Sequence, residues 1–355
     1  MPERADSRVD RARRRTRVAG AALSAPLGAL AVLLPATPAA ADDTYGAPTT
    51  RCEITDERLP EISGLVGVGN AMLAMNDGGD QAEVYVLDGA CAVGEVRTAA
   101  VDPYDPEDLA LGADGTVWLA DIGDNDQQRE TVALIGLRPD GSSTLTRLTY
   151  PDGPHDAEAL LLAPDGTPYL VTKEVLGASS VYRPAEPLAD GVTLPMTRVL
   201  GMGFTLTGTP GGPVGRAGQL LVTGGAVSAD GQRIALRTYT DAYVWPLADS
   251  DVAGALSGPP VRVALPDSPQ GEAIAFAGND RDLLVTSEDL PAVVTLVPVA
   301  AAAAPAPATD AAPDDAAAAP LDLGGGVSPV TAGLIAAAVA TLLVWIGGRL
   351  RRRQG

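Results

Sequence analysis

Three stretches of the chain place Asp-Gly seven residues after a polar leading position: Glu107 to Asp114-Gly115, Glu158 to Asp165-Gly166 and Thr223 to Asp230-Gly231. Asp-Gly between two short apolar runs signals a hairpin, because both residues tolerate positive φ. A recurring unit constrains the fold more than any single motif does, since each copy must bury its face against the next. Two further segments keep the order of leading residue, strand, turn and strand. They are Glu61-Ile-Ser-Gly-Leu running to Asn76-Asp77 and Glu272-Ala-Ile-Ala-Phe running to Ser287-Glu-Asp289.

Most units continue with two more strands, as in Thr131–Leu137 and Thr144–Tyr150 of the second and Ala242–Leu247 and Pro260–Leu265 of the fourth. Four short strands per unit, with 46 to 65 residues between leading positions, suit a β-propeller blade. The expectation is an all-β, five-bladed propeller of four-stranded blades; the long third unit, holding Pro210–Gly218, leaves room for a sixth blade. A β-sandwich is the alternative, although sandwiches seldom repeat one motif so regularly. The fifth unit has only three strands, while an orphan strand, Thr50–Thr55, precedes the first. Closing the ring with that strand removes an exposed sheet edge. Cys52 and Cys91, the only cysteines, then either pair across the closure or stay as two buried thiols.

The ends of the chain set its address. Residues 1–17 hold seven arginines, followed by an apolar run from Val18 to Leu34 and by Ala39-Ala40-Ala41. That is the order of a signal peptide covering residues 1–41, with an uncleaved anchor as the alternative. At the other end residues 329–348 are apolar, carry Trp345 near their edge and are followed by Arg349, Arg351, Arg352 and Arg353 in a basic tail of residues 349–355. The nineteen residues from Val330 to Gly348 would span about 28 Å as a helix, and the arginines obey the positive-inside rule, so one transmembrane helix is expected. Residues 300–328 are almost wholly Ala, Pro, Asp and Gly and read as a stalk, because their prolines interrupt an alanine-rich helix. The ectodomain, residues 42–299, would lie outside a cell membrane crossed once.

The chain carries 45 acidic against 25 basic residues, with Lys173 its only lysine. Nucleic acid is a poor partner for so acidic a body. In a propeller, residues at equivalent repeat positions converge on the axis. Glu61, Glu107, Glu158 and Glu272 take the leading position in four units and Thr223 in the fifth. Carboxylates gathered there either cap loops and accept inter-blade backbone bonds, or hold a hard cation such as calcium, for which oxygen donors without histidine or thiolate are suited. Further oxygens come from Asp108, Asp121, Asp124, Asn125 and Asp156.

Polar side chains around the ends of the second strands, Asp121, Asp124, Asn125, Lys173, Glu174, Arg237, Tyr239 and Glu288, are candidates to contact a small-molecule, glycan or protein ligand. Lys173, Arg129 and Arg237 either pair with the acids or receive an anion. His155, the only histidine, is either a solvated loop residue or a general base. No serine-nucleophile elbow, paired-histidine zinc motif or phosphate-cradling loop is present.

The motifs Glu61-Ile-Ser-Gly-Leu, Pro106-Glu-Asp-Leu, Asp121-Ile-Gly-Asp-Asn, Asp156-Ala-Glu-Ala-Leu and Gln270-Gly-Glu-Ala-Ile, in that order, resemble the exported bacterial propellers of the phytase-like or esterase-like-phytase type, over residues 50–299. Related quinoprotein-type and NHL-type surface propellers share the likeness. The resemblance implies an acidic axial face, calcium as the usual ion and, in true phytases, phosphoesterase activity. Carried over by position, Glu61, Glu107, Glu158 and Glu272 would be the axial carboxylates. Apart from the resemblance, Glu158, Lys173, Arg237 and His155 are the candidates for catalysis if the chain is a hydrolase. A single lysine departs from the basic surroundings that a polyanionic phosphate requires. The leading expectation is a membrane-anchored, calcium-stabilised binding or scaffolding module, and the alternative is a calcium-dependent phosphoesterase or related hydrolase.

Overall fold

The computed structural model describes residues 44–300. The first strand, β1 (Thr49–Ile54), stands apart from its sequence neighbours. The first sheet comprises β2 (Ile62–Val68), β3 (Ala71–Asn76), β4 (Ala82–Leu87) and β5 (Val93–Ala99), and the second β6 (Pro106–Leu111), β7 (Val117–Asp121), β8 (Val132–Leu137) and β9 (Ser143–Thr149). The third holds β10 (Ala157–Leu162), β11 (Pro168–Thr172), β12 (Ser180–Pro184) and β13 (Thr193–Gly201), and the fourth β14 (Val222–Val227), β15 (Arg233–Thr238), β16 (Asp241–Pro246) and β17 (Val261–Ala264). The fifth consists of β18 (Ile274–Phe276), β19 (Leu283–Val285), β20 (Ala292–Val297) and β1, so the N-terminal strand completes the last blade, pairing antiparallel with β20.

Five apolar clusters lie between successive sheets. One joins Met75 and Leu73 to Leu109 and Leu119, the next Leu134 and Ala120 to Leu160 and Leu170. The third joins Leu161 and Val171 to Leu236 and Ile234, and the fourth Ala235 and Val244 to Ile274 and Leu283. The fifth joins Ala275 and Leu284 back to Ile62 and Leu65. Five blades with five interfaces form a closed ring. The inner strands β2, β6, β10, β14 and β18 touch in that order, and β18 meets β2 again. The Cys52–Cys91 disulfide spans the closure, from β1 on the fifth blade to the turn between β4 and β5 on the first.

Inner strands read as nearly continuous apolar or small residues because they are covered on both faces. Every residue of β10 and β11 is buried, whereas the outer strand β9 alternates buried and exposed. Close approach explains Gly67, where a Cβ would collide with the Phe276 carbonyl of the neighbouring blade. The outer strands of blades two and three also pair in parallel, Leu194 against Leu148. No sixth blade exists among the described residues: the segment after β13 is irregular apart from a short 3₁₀ turn, Gly215–Gln219. One helix of five residues, α1 (Val252–Leu256), is capped by Asp251. No helix of the described residues is long and apolar enough to cross a membrane, and the expected signal peptide, stalk, transmembrane segment and basic tail lie outside them.

Candidate functional site

Four inner strands break register at one place, between Ile62 and Gly64, Pro106 and Asp108, Ala157 and Ala159, and Val222 and Gly224. The residues left out of the ladders are Ser63, Glu107, Glu158 and Thr223. A β-bulge re-aims its extra side chain, and here one bulge in each of blades one to four turns a side chain toward the hub. In blade five, Glu272 holds the same place, two residues before Ile274 pairs with Val285, as Glu107 stands two before the Leu109–Leu119 pair. All five are buried. The innermost ring is therefore Ser63, Glu107, Glu158, Thr223 and Glu272: three carboxyls and two hydroxyls. Both hydroxyls tie their blade to the next. Ser63 Oγ donates to the Glu107 carbonyl at 2.5 Å, and Thr223 Oγ1 donates to the Gly271 carbonyl at 2.9 Å.

Two residues before each of these, just ahead of the inner strands, comes a second tier, Glu61, Asp105, Asp156, Leu221 and Gln270. Facing it, just past the second strands, stand Asp77, Lys173, Tyr239 and Glu288, with Ile122 in blade two. Backbone bonds lock these tiers together: Asp77 N to Glu61 O at 2.7 Å, Lys173 N to Asp156 O at 2.9 Å and Glu288 N to Gln270 O at 2.9 Å.

Two carboxylate triads result. Asp77, Asp105 and Glu107 each place one oxygen within 4.8 Å of the others, and Glu107, Asp156 and Glu158 do the same. Glu107 belongs to both. Gly123 lets the chain pass beside them, since a Cβ there would strike Glu107 Oε1 and lie 2.5 Å from Asp105 Oδ2.

So many carboxyls in a partly dry funnel resist ionisation. Burial, then Glu158, Asp77 and Asp105, push Glu107 well above the usual carboxylate range. Asp105 is pushed up to about 6 by burial and by Asp77 and Asp156. Burial and the neighbouring Glu61 likewise push Asp77 above the usual carboxylate range. Burial and the Glu272 charge push Glu288 up to about 7. Lys173 supplies the compensating charge, its Nζ 2.6 Å from Glu158 Oε1 and 5.4 Å from the Tyr239 ring centre. Burial opposes the lysine's charge, but Glu158 and Glu272 outweigh it and hold its pKa above the ordinary value. Glu272 Oε2, fully buried, has no hydrogen-bond partner within the protein. Oxygen donors alone, in excess of cationic side chains, fit a hard divalent cation.

The other expected site residues fall in different places. Glu61 is exposed and sits in the second tier; Ser63 takes the inner place in blade one, because register rather than acidity sets equivalence. Asp121 Oδ1 accepts Asp105 N at 2.9 Å and pairs with Arg129 at 2.8 Å. Asp124 accepts Gln128 N and Arg129 N, shaping its loop, and Asn125 is exposed. Arg237 is fully buried, donating to the Ala273 and Thr286 carbonyls at 2.7 and 2.6 Å, which leaves it no reach into the funnel. Burial pulls it down to about 10. His155 contacts Asp152 at 3.2 Å, Tyr182 OH at 3.0 Å and, at 3.6 Å, Glu174, and faces none of the triads. Asp77 and Asp105 were not among the expected ligands; the signal was an acid two residues before the inner position, shared by Glu61, Asp105 and Asp156.

The fold and its hub define a five-bladed β-propeller with an acidic axial site. No protein-family model and no curated protein matches the sequence. Among solved structures the chain is similar to a soluble aldose sugar dehydrogenase from Escherichia coli, with 12% identity, TM-score 0.41 and coverage of 72% of this chain and 100% of that one. A gluconolactonase from Xanthomonas campestris has 19% identity, TM-score 0.37 and coverage of 66% and 70%; a virginiamycin B lyase from Staphylococcus aureus has 9%, 0.35 and 68% of each. These likenesses concern the fold alone.

Proposed function

We propose that this chain is a ligand-binding propeller whose acidic hub takes up a divalent cation of the calcium class, displayed outside the cell on a membrane-anchored stalk. The observation that carries the cation is Glu107, shared by two carboxylate triads that Lys173 alone does not neutralise. Asp77, Asp105, Glu107, Asp156 and Glu158 would hold the ion, and it would offer open positions to an oxygen-bearing ligand. The chain's own residues shape the approach: Glu61 and Glu288 rim the funnel, Tyr239 forms one wall and Lys173 stands beside the carboxylates. The apolar run at residues 329–348 with its trailing arginines supports the membrane address, and the acidity of the body argues against nucleic acid.

The phytase-like phosphoesterase is the weaker reading. A phosphate monoester needs several free cations, yet Arg237 is spent on backbone carbonyls and Arg129 on Asp121. Calorimetric titration of the full chain with CaCl2 tests the proposal: one strong site is expected, lost in Glu107→Gln. Absence of heat in the wild type, or full binding by the variant, overturns it.

A further inference from the structure

The opposite end of the hub carries a second, chemically different cavity. It measures about 590 Å³ and lies where the inner strands turn back, lined by Leu111, Trp118, Leu162 and Phe276. Its wall extends to Leu109 and Leu160, two residues or about 7 Å along the strand from Glu107 and Glu158, but the two sites share no residue. That volume is in the range of small-molecule sites, whose walls are mostly apolar with a few charged groups.

Its mouth is acidic. Asp114, Asp165 and Asp230 come from the Asp-Gly turns of blades two to four, and Asp280 from the matching turn of blade five. Backbone bonds place them: Asp165 Oδ1 accepts Thr167 N of its own turn at 2.9 Å, and Asp280 Oδ1 accepts Ala229 N from the turn of blade four at 2.9 Å. Arg233 Nη1 faces the Asp230 carboxylate and reaches the Asp280 carbonyl, each at 3.5 Å, and Arg138 acts on Asp114, but no basic side chain lines the cavity. The turn chemistry thus leaves a ring of negative charge around an apolar interior.

We infer that this cavity binds an amphipathic organic cation, its apolar part against Leu162 and Phe276 and its ammonium group among the turn aspartates. Cation and apolar tail are both required: the interior offers the ammonium nothing, and the rim repels a carboxylate.

The test uses the full chain with three eight-carbon probes, n-octylammonium, octanoate and 1-octanol, read by the fluorescence of Trp118. The expected result is saturable binding of octylammonium, at least tenfold tighter than that of octanoate, with the signal absent in Trp118→Phe. The double variant Asp114→Asn, Asp165→Asn keeps turn-forming side chains and should weaken octylammonium at least fivefold while leaving octanol unchanged. Glu107→Gln should leave all three unaffected. Equal binding of octanoate, or a signal that survives in Trp118→Phe, overturns the inference.

Discussion

Asp108 on blade two accepts the backbone N–H of Gly225 on blade four, 117 residues away, at 3.1 Å. The same oxygen accepts Leu160 N of blade three at 2.7 Å, and its partner accepts Leu109 N at 2.8 Å. One fully buried carboxyl therefore joins three blades beneath the acidic funnel. Removing it as Asp108→Ala leaves three buried N–H groups unsatisfied, at about 1–3 kcal/mol each. Chemical denaturation should show a loss of several kcal/mol, with Asp108→Asn in between; a loss under 1 kcal/mol for the alanine variant would show that the hub does not depend on this link.

Stability should fall as pH rises when no divalent cation is present. Glu288, raised to about 7, and Asp105, raised to about 6, keep protons in the fold that the unfolded chain releases near pH 4. Their contribution is complete below that pH and is lost as pH climbs through 6 and 7. Melting temperatures in chelator should therefore drop between pH 5 and 7.5, the drop should shrink in Glu288→Gln, and calcium should restore it. A chelated protein more stable at pH 7.5 than at pH 5 would contradict this.

Lys173 distinguishes a cation site from an anion site. Lys173→Met strands Glu158 without its partner and should cost about 3–5 kcal/mol in metal-free buffer. It also removes the positive charge that competes with an incoming cation, so calcium affinity should rise severalfold. A variant that loses calcium binding while remaining folded would place the lysine in a different role.

The disulfide should matter to ring closure. Cys52 and Cys91 are 39 residues apart, and freeing a loop of that length costs about 4 kcal/mol in a chain-entropy account. Cys52→Ala, Cys91→Ala should retain the five-bladed fold with a lowered denaturation midpoint. An unchanged midpoint would show that β1–β20 pairing alone secures the closure.

Much of the architecture was legible because turn chemistry is local. The Asp-Gly turns marked the inner hairpins of blades two to four, and the unpaired strand near Cys52 pointed to closure by the N-terminus. The hub was only half legible. Matching segments by their acids aligned Glu61 with Glu107, whereas the ladder aligns Ser63-Gly-Leu65 with Glu107-Asp-Leu109. The apolar residue that must enter the inter-blade core fixes the register, and the bulge, invisible as a residue type, decides which neighbour faces the axis. Arg237 misled for a related reason. Its charge suggested a ligand contact, but its strand position buries it against carbonyls of blade five, and Asp105 escaped notice because Pro106 separates it from the motif.

The most direct test of the cation-binding hub is a crystal structure of the full chain grown with a calcium-replacing lanthanide and phased on its anomalous signal. The account predicts one strong peak bonded to the Glu107 carboxylate, about 2.3–2.6 Å from its oxygen, with Asp77, Asp105, Asp156 or Glu158 completing the shell. A hub without such a peak, with the carboxyls paired only to one another and to Lys173, would contradict it.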